Sequence, residues 1–141
     1  MSGARFFLDT NVFVYAVDGT NPAKAKHAED LMREAVTTQK GTVSYQVVQE
    51  FFNLALRRFP RPMTVTEAEQ YLRTVFQPLL PIHSSPILFV EALHIQTRYR
   101  LPWYDSLIVA AAVEADCSIL YSEDFRHGQR FGSMTVKNPF V

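Results

Sequence analysis

Short apolar runs alternate with longer stretches of helical periodicity along the whole chain, and this alternation limits the fold more than any other feature. The apolar runs are Arg5–Leu8, Thr42–Tyr45, Leu79–Ile82, Ser118–Tyr121 and Met134–Val136, each read as a short strand. Asn11–Val17 reads as a short helix or turn. Asn21-Pro22 is a cap followed by proline at the first helical position, and it opens a helix over Ala23–Thr37. That helix carries Ala28, Leu31, Met32, Ala35 and Val36 on one face, with Gly41 as its stop. Gln46–Arg58 has a broad apolar face and ends at the prolines of FPRPM. Thr64 with Glu67, or Thr66 with Glu69, can form a capping box for a helix to about Phe76. Ser85-Pro86 starts another helix, to about Arg100. Tyr104–Ala115 is apolar almost all round, which predicts a buried helix. Such a succession of elements is that of an α/β fold with a mainly parallel sheet flanked by helices. At 141 residues, one domain over residues 1–141 is expected.

Composition narrows the function. Hydrophobic residues make up 48% and aromatics 13%, enough for a sizeable core, and 20% charged residues speak against disorder. A formal net charge of zero argues against a protein that coats nucleic acid nonspecifically. It leaves room for a nuclease, where local arginines and a metal offset an acidic centre. Cys117 is the only cysteine, so no disulfide can form within the chain, and it reads as a small core thiol. MSGARFFLDT has neither the apolar stretch nor the cleavage-like site of a secretory signal. The longest fully apolar run, Leu107–Val113, is too short to span a bilayer. A cytoplasmic, reduced protein with no membrane role is the expectation.

Four acidic residues stand beside or inside apolar runs: Asp9, Glu50, Asp105 and Asp124. Each has an ordinary reading. Asp9 is good capping chemistry. Glu50 suits an exposed helix face, Asp105 suits a helix dipole, and Asp124 suits a turn. Taken together they mean more. In a parallel sheet the functional crevice lies at the carboxyl ends of the strands. Asp9 follows the first strand and Asp124 the fourth, while Glu50 and Asp105 lie near helix starts on that same edge. Carboxylates gathered there would repel one another, and a hard divalent cation with oxygen ligands is the usual remedy. A carboxylate cage around Mg²⁺ or Mn²⁺ is a standard device for hydrolysing phosphodiesters.

FLDTNVFVYA resembles the opening strand and turn of PIN-domain ribonucleases, and WYDSLIVAAAVEADCSILYSEDF resembles their third and fourth motifs. The pattern is similar to VapC-type toxins of bacterial toxin–antitoxin pairs. The resemblance implies a PIN-like three-layer sandwich. Position by position, it makes Asp9, Glu50, Asp105 and Asp124 the acidic cluster, with Glu123 the alternative to Asp124. Asn11 and Ser122 become polar supports. It further implies that Asp9, Asp105 and Asp124 bind one or two Mg²⁺ or Mn²⁺ ions, and that Glu50 binds metal or orients the attacking water. RNA would be cut to leave a 5′-phosphate and a 3′-hydroxyl. A small antitoxin and a second copy of the chain are the implied partners. The helices around Ala23–Val36 and Thr66–Phe76 are candidate surfaces for either.

Positive charge for the substrate is sought in Arg57 (with Arg58 and Arg61), Arg98 (with Arg100) and Arg126 (with Arg130), and His127 is the histidine singled out as a substrate contact. His27, His83 and His94 show no metal-ligand spacing. Trp103 and Tyr104 read as packing residues, with base stacking as the alternative. A dehalogenase-type phosphatase would need Asp-x-Asp where the chain has Asp9-Thr10-Asn11. A receiver-like module would need an acidic pair there and a suitably placed lysine, and Lys137 is the only lysine after Lys40. A PIN nuclease of RNA maturation, without an antitoxin, is the remaining alternative.

Overall fold

A computed structural model describes residues 4–80 and 85–141. Among the described residues the strands are β1 (Phe6–Leu8), β2 (Gly41–Thr42), β3 (Ile119–Tyr121), β4 (Arg130–Phe131) and β5 (Met134–Lys137). The helices are α1 (Thr10–Asp18), α2 (Pro22–Thr38), α3 (Tyr45–Ala55), α4 (Val65–Tyr71), α5 (Pro86–Tyr99) and α6 (Trp103–Glu114). The sheet order is β2-β1-β3-β5-β4, parallel except for the β4–β5 pair. Helices flank this central sheet, as the alternation of elements predicts.

The helix ends follow local chemistry. Asn21 accepts from the Lys24 N–H at 3.1 Å, and Pro22 follows it. Thr64 and Glu67, not Thr66 and Glu69, form the reciprocal capping box. Ser85 caps α5 through the Leu88 N–H at 3.1 Å. α6 has a continuous buried stretch from Ser106 to Ala112, as its apolar circumference requires. Its one polar member there, Ser106, satisfies itself on the Pro102 carbonyl at 3.0 Å.

Several boundaries differ from the sequence expectation. α2 is stopped by Gln39, whose backbone is left-handed at φ 59°, and not by Gly41. Gly41 is in β2, paired with Phe6. A Cβ there would lie 2.2 Å from the Ala35 Cβ and 2.8 Å from its Cα, so the glycine lets strand and helix touch. Gly41→Ala is therefore expected to cost about 1–3 kcal/mol through overpacking, read as a lower urea midpoint. Strand β2 is shorter than Thr42–Tyr45, because Tyr45 already begins α3. That helix ends at Ala55, short of Arg58. The expected strand at Leu79–Ile82 is corrected in its described part. α4 runs on into a π-helical turn, Leu72–Phe76, and a 3₁₀ turn, Gln77–Leu79, which buries Phe76 and Leu79. The remainder of that segment, and His83, lie outside the described residues. The β4–β5 hairpin was expected only in its second strand; Gly132, at φ 61°, makes its turn.

An aromatic cluster lies between α1, α3 and the π-helical turn. Phe51 is its centre, stacked on Tyr71 at 5.1 Å and edge-on to Phe76 at 5.3 Å, Phe52 at 5.4 Å and Phe59 at 5.8 Å. Since Phe51 follows Glu50 on α3, the same packing that fills the core also fixes where Glu50 points.

Candidate active site

Asp9 sits where β1 ends and α1 begins. Its N–H continues the parallel ladder to the Tyr121 carbonyl at 3.0 Å, and its Oδ1 accepts the Thr10 N–H at 2.7 Å. The ordinary capping reading of Asp9 is thus part of the truth. Its other oxygen, Oδ2, accepts the Ser122 hydroxyl at 2.7 Å. Ser122 follows β3, so the hydrogen bond ties the ends of two neighbouring strands together.

Ser122 is fully buried and serves several partners. Besides donating to Asp9, its Oγ accepts the Asp124 N–H at 3.0 Å and the Asn11 amide at 3.4 Å. The Asn11 amide also donates to Asp124 Oδ2 at 3.2 Å. On the opposite side, Thr10 donates its hydroxyl to Glu50 Oε1 at 2.6 Å, and Gln46 donates to Glu50 Oε2 at 3.2 Å. Asp105 stands in the first turn of α6, and its carboxylate has no hydrogen-bond or ion-pair partner among the described residues.

Electrostatically, Glu50 and Asp124 act on both Asp9 and Asp105. Burial is the main force on Asp9, pushing its carboxyl up to about 7. Hydrogen bonds from Ser122 and the Thr10 N–H oppose this, while the charges of Asp124 and Glu50 add to it. Asp105 is raised as well, first by burial and then by Asp124 and Glu50. Glu123 lies in a different setting. It accepts from the Tyr15 hydroxyl at 2.5 Å and pairs with Lys24 at 2.9 Å, and those partners hold its carboxyl below the usual glutamate range despite partial burial. Of the two adjacent acids, Asp124 is turned to the Asn11–Ser122 network, and Glu123 is already neutralised.

A crevice of about 530 Å³ opens over this network, lined by Thr10, Asn11, Tyr15, Glu50, Glu123 and Asp124 among others. Of the four acids only Glu50 and Asp124 are in its lining; Asp9, Asp105, Arg57, Arg98, Arg126 and His127 are not. Arg57 is exposed just beyond α3. Arg98 lines a separate cavity with Glu91, His94 and Phe131, its guanidinium over the Tyr99 ring at 5.3 Å. Arg126 is exposed. His127 accepts the Asn138 N–H through Nδ1 at 3.0 Å, which ties the segment after β5 to the loop after β3. The linking roles of Thr10, Gln46 and Lys24 escaped the sequence reading. The Gln46–Glu50 spacing of i,i+4 on one helix face was a usable signal for the second; nothing local announces Lys24.

The donor set suits a hard divalent cation in type. All four acids offer oxygen, and the Asn11 Oδ1 is buried with no hydrogen-bond partner, an acceptor that a cation or its water would satisfy. Among the described residues no group of His, Cys, Asp or Glu stands ready-made to hold an ion. Both oxygens of Asp9 and both of Glu50 are turned to protein donors.

An α/β domain with an acidic crevice at the carboxyl edge of its parallel strands is the class that fold and site define. The sequence matches the PIN domain model over residues 6–130, and the chain belongs to that family. No curated protein matches the sequence. Among solved structures, it is similar to a toxin–antitoxin complex from Klebsiella pneumoniae at 19% identity and TM-score 0.64, covering 94% of this chain and 96% of that one. VapC20 of Mycobacterium tuberculosis, a sarcin–ricin-loop-cleaving toxin, is 21% identical with TM-score 0.61, over 83% and 88% of the two chains. VapBC2 of Rickettsia felis, bound to a DNA fragment from its promoter, is 16% identical with TM-score 0.63, over 94% and 97%. At these identities the likeness to solved structures is one of fold. No described helix is long and apolar enough to cross a membrane.

Proposed function

We propose that the chain is a divalent-metal-dependent endoribonuclease and the toxin of a toxin–antitoxin pair. The observation that carries this reading is the burial of Asp9 at the carboxyl edge of the sheet, with Glu50 and Asp124 close enough to raise it further. A carboxylate so placed is costly as a bare anion, and a bound proton or cation relieves that cost. Asp9, Asp105 and Asp124 would hold Mg²⁺ or Mn²⁺, with Asn11 and Ser122 fixing Asp124 and Asp9. Such an ion activates water and neutralises charge developing on the phosphate. Glu50, held by Thr10 and Gln46, orients the attacking water or joins the ligands. RNA as substrate is supported by the RNA-cleaving toxin among the structural neighbours. A small antitoxin partner is supported by the toxin–antitoxin complex in the same group. A homodimer and a cytoplasmic location belong to the same reading.

The test is cleavage of a structured RNA in Mg²⁺ or Mn²⁺ against EDTA, with wild type, Asp9→Asn, Asp124→Asn and Glu123→Gln. Chelation, Asp9→Asn and Asp124→Asn are each expected to lower kcat roughly a hundredfold or more, since several kcal/mol of charge stabilisation resides in the site. Glu123→Gln is expected to stay within a fewfold of wild type. Wild-type rates in EDTA or in Asp9→Asn would sink the proposal; a loss in Glu123→Gln with none in Asp124→Asn would exchange the two acids.

A further inference from the structure

Beside the acidic crevice lies a second one, of about 450 Å³, between the start of α3 and the α5–α6 pair. Leu88, Leu107 and Ala111 line it and are themselves buried. Phe89, Trp103 and Tyr104 also line it, and Phe89 and Tyr104 remain substantially exposed at 43% and 64%. The Phe89 and Trp103 ring centroids are 6.1 Å apart and the planes are inclined at 54°. The crevice therefore offers aromatic faces that the fold does not consume.

Ser44 supplies the polar group. It occupies the cap position of α3, yet its side chain makes no capping hydrogen bond. The residue is only 4% exposed, and its Oγ is buried with no hydrogen-bond partner. A buried hydroxyl left unpaired costs stability, and native folds rarely leave one without a reason. This one lines the crevice. Gln46 connects the crevice to the acidic site: its amide donates to Glu50 Oε2 at 3.2 Å and to the Tyr104 carbonyl at 3.2 Å. Tyr104 is next to Asp105. An object seated among these rings would therefore sit one residue from two of the four acids.

We infer that this crevice receives one unpaired nucleobase of the RNA, next to the phosphate that is cut. The inference rests on the nuclease reading. A base is a flat group with apolar faces and a polar edge. Stacking on Trp103 and Tyr104 uses the faces, and the Ser44 hydroxyl, which can donate or accept, meets the edge. Stacking tolerates any base, whereas a buried hydroxyl that must find a partner discriminates among edges. Ser44 is then the specificity-determining residue, and Tyr104 the one that contributes affinity.

Trp103 is the only tryptophan of the chain, so its fluorescence reports on the crevice directly. The probes are 2′-O-methyl hexaribonucleotides of each single base, titrated in EDTA so that metal-dependent hydrolysis is off, with an abasic hexamer of the same backbone as control. At least one base-bearing hexamer is expected to quench Trp103, and the abasic one to do so at least fivefold more weakly at equal concentration. Tyr104→Ala is expected to weaken the apparent Kd roughly tenfold, the usual effect of losing one stacking ring. Ser44→Ala, a change that removes only the hydroxyl, is expected to level the differences among the bases while leaving the melting temperature at or above wild type. Equal quenching by the abasic hexamer, no quenching by any probe, or variants that leave affinities and base order unchanged would each overturn the inference. The titration needs no catalysis. Quenching without RNA cleavage would discard the nuclease reading, and cleavage without base-dependent quenching would discard the crevice.

Discussion

Asp9→Asn is expected to raise the melting temperature of the metal-free protein at pH 8, and to do so by clearly less at pH 5. In the folded chain burial pushes the Asp9 carboxyl from 3.8 up to about 7. Between about pH 4 and 7 the folded state therefore keeps a proton that the unfolded chain has already released, and stability falls across that window. Stability from this group is complete below the unfolded value and is lost as pH rises through the folded one. At pH 5 the folded wild type holds a neutral carboxyl while the unfolded chain is already ionised, so only part of the loss has occurred. At pH 8 it holds a buried anion with Glu50 and Asp124 nearby, and the substitution removes that anion. The full shift corresponds to about 4 kcal/mol at 1.36 kcal/mol per unit, so the gain at pH 8 should be several degrees. Thermal melts in EDTA at the two pH values give the answer; an equal difference at both would mean that Asp9 does not titrate in this window. Added Mg²⁺ should stabilise wild type at pH 8 and not the variant. A substitution that stabilises the protein while removing its activity is the signature of a site whose charges are kept for chemistry.

Phe51→Ala is expected to lower stability by about 3–5 kcal/mol, the usual cost of emptying a phenylalanine site in a packed core. Phe51 is fully buried and touches rings from α1, from the rest of α3, from Phe59, from Tyr71 and from the π-helical turn. No neighbour can relax into the space without leaving another contact. A urea titration should show a lower midpoint with an unchanged slope. A loss below about 1 kcal/mol would mean that the cluster repacks around the hole. The effect should reach the site as well, because Glu50 is adjacent on α3 and takes its aim from this packing.

What was legible in the sequence was whatever local chemistry decides. Asn21-Pro22, Ser85-Pro86 and the box at Thr64 set helix starts within their own few residues, and the apolar circumference of α6 left burial as its only outcome. The strand expected at Leu79–Ile82 failed in its described part because an apolar run carries no period of its own; there the demand of Phe76 and Leu79 for burial kept the chain helical. The places of Asp9, Glu50, Asp105 and Asp124 at strand ends and helix starts were foreseeable, and in the fold Glu50 and Asp124 act on both Asp9 and Asp105. The difference between Glu123 and Asp124 was not foreseeable. It depends on Lys24 and Tyr15, distant in sequence, which claim one carboxylate and leave the other. Long-range electrostatic choices of this kind are absent from a local pattern.

The strands at the two margins of the sheet have a consequence for how other proteins can engage it. Both β2 and β4 are two residues long. An incoming peptide in extended form would find room for only one or two backbone hydrogen bonds at either margin, too few to seat it. The same brevity discourages sheet-to-sheet self-association as the protein accumulates. Among the described residues, then, helix surfaces, loops and crevices offer a macromolecular partner more to recognise than the strand edges do, so that changes in partner choice can arise by surface substitution while the central sheet stays untouched.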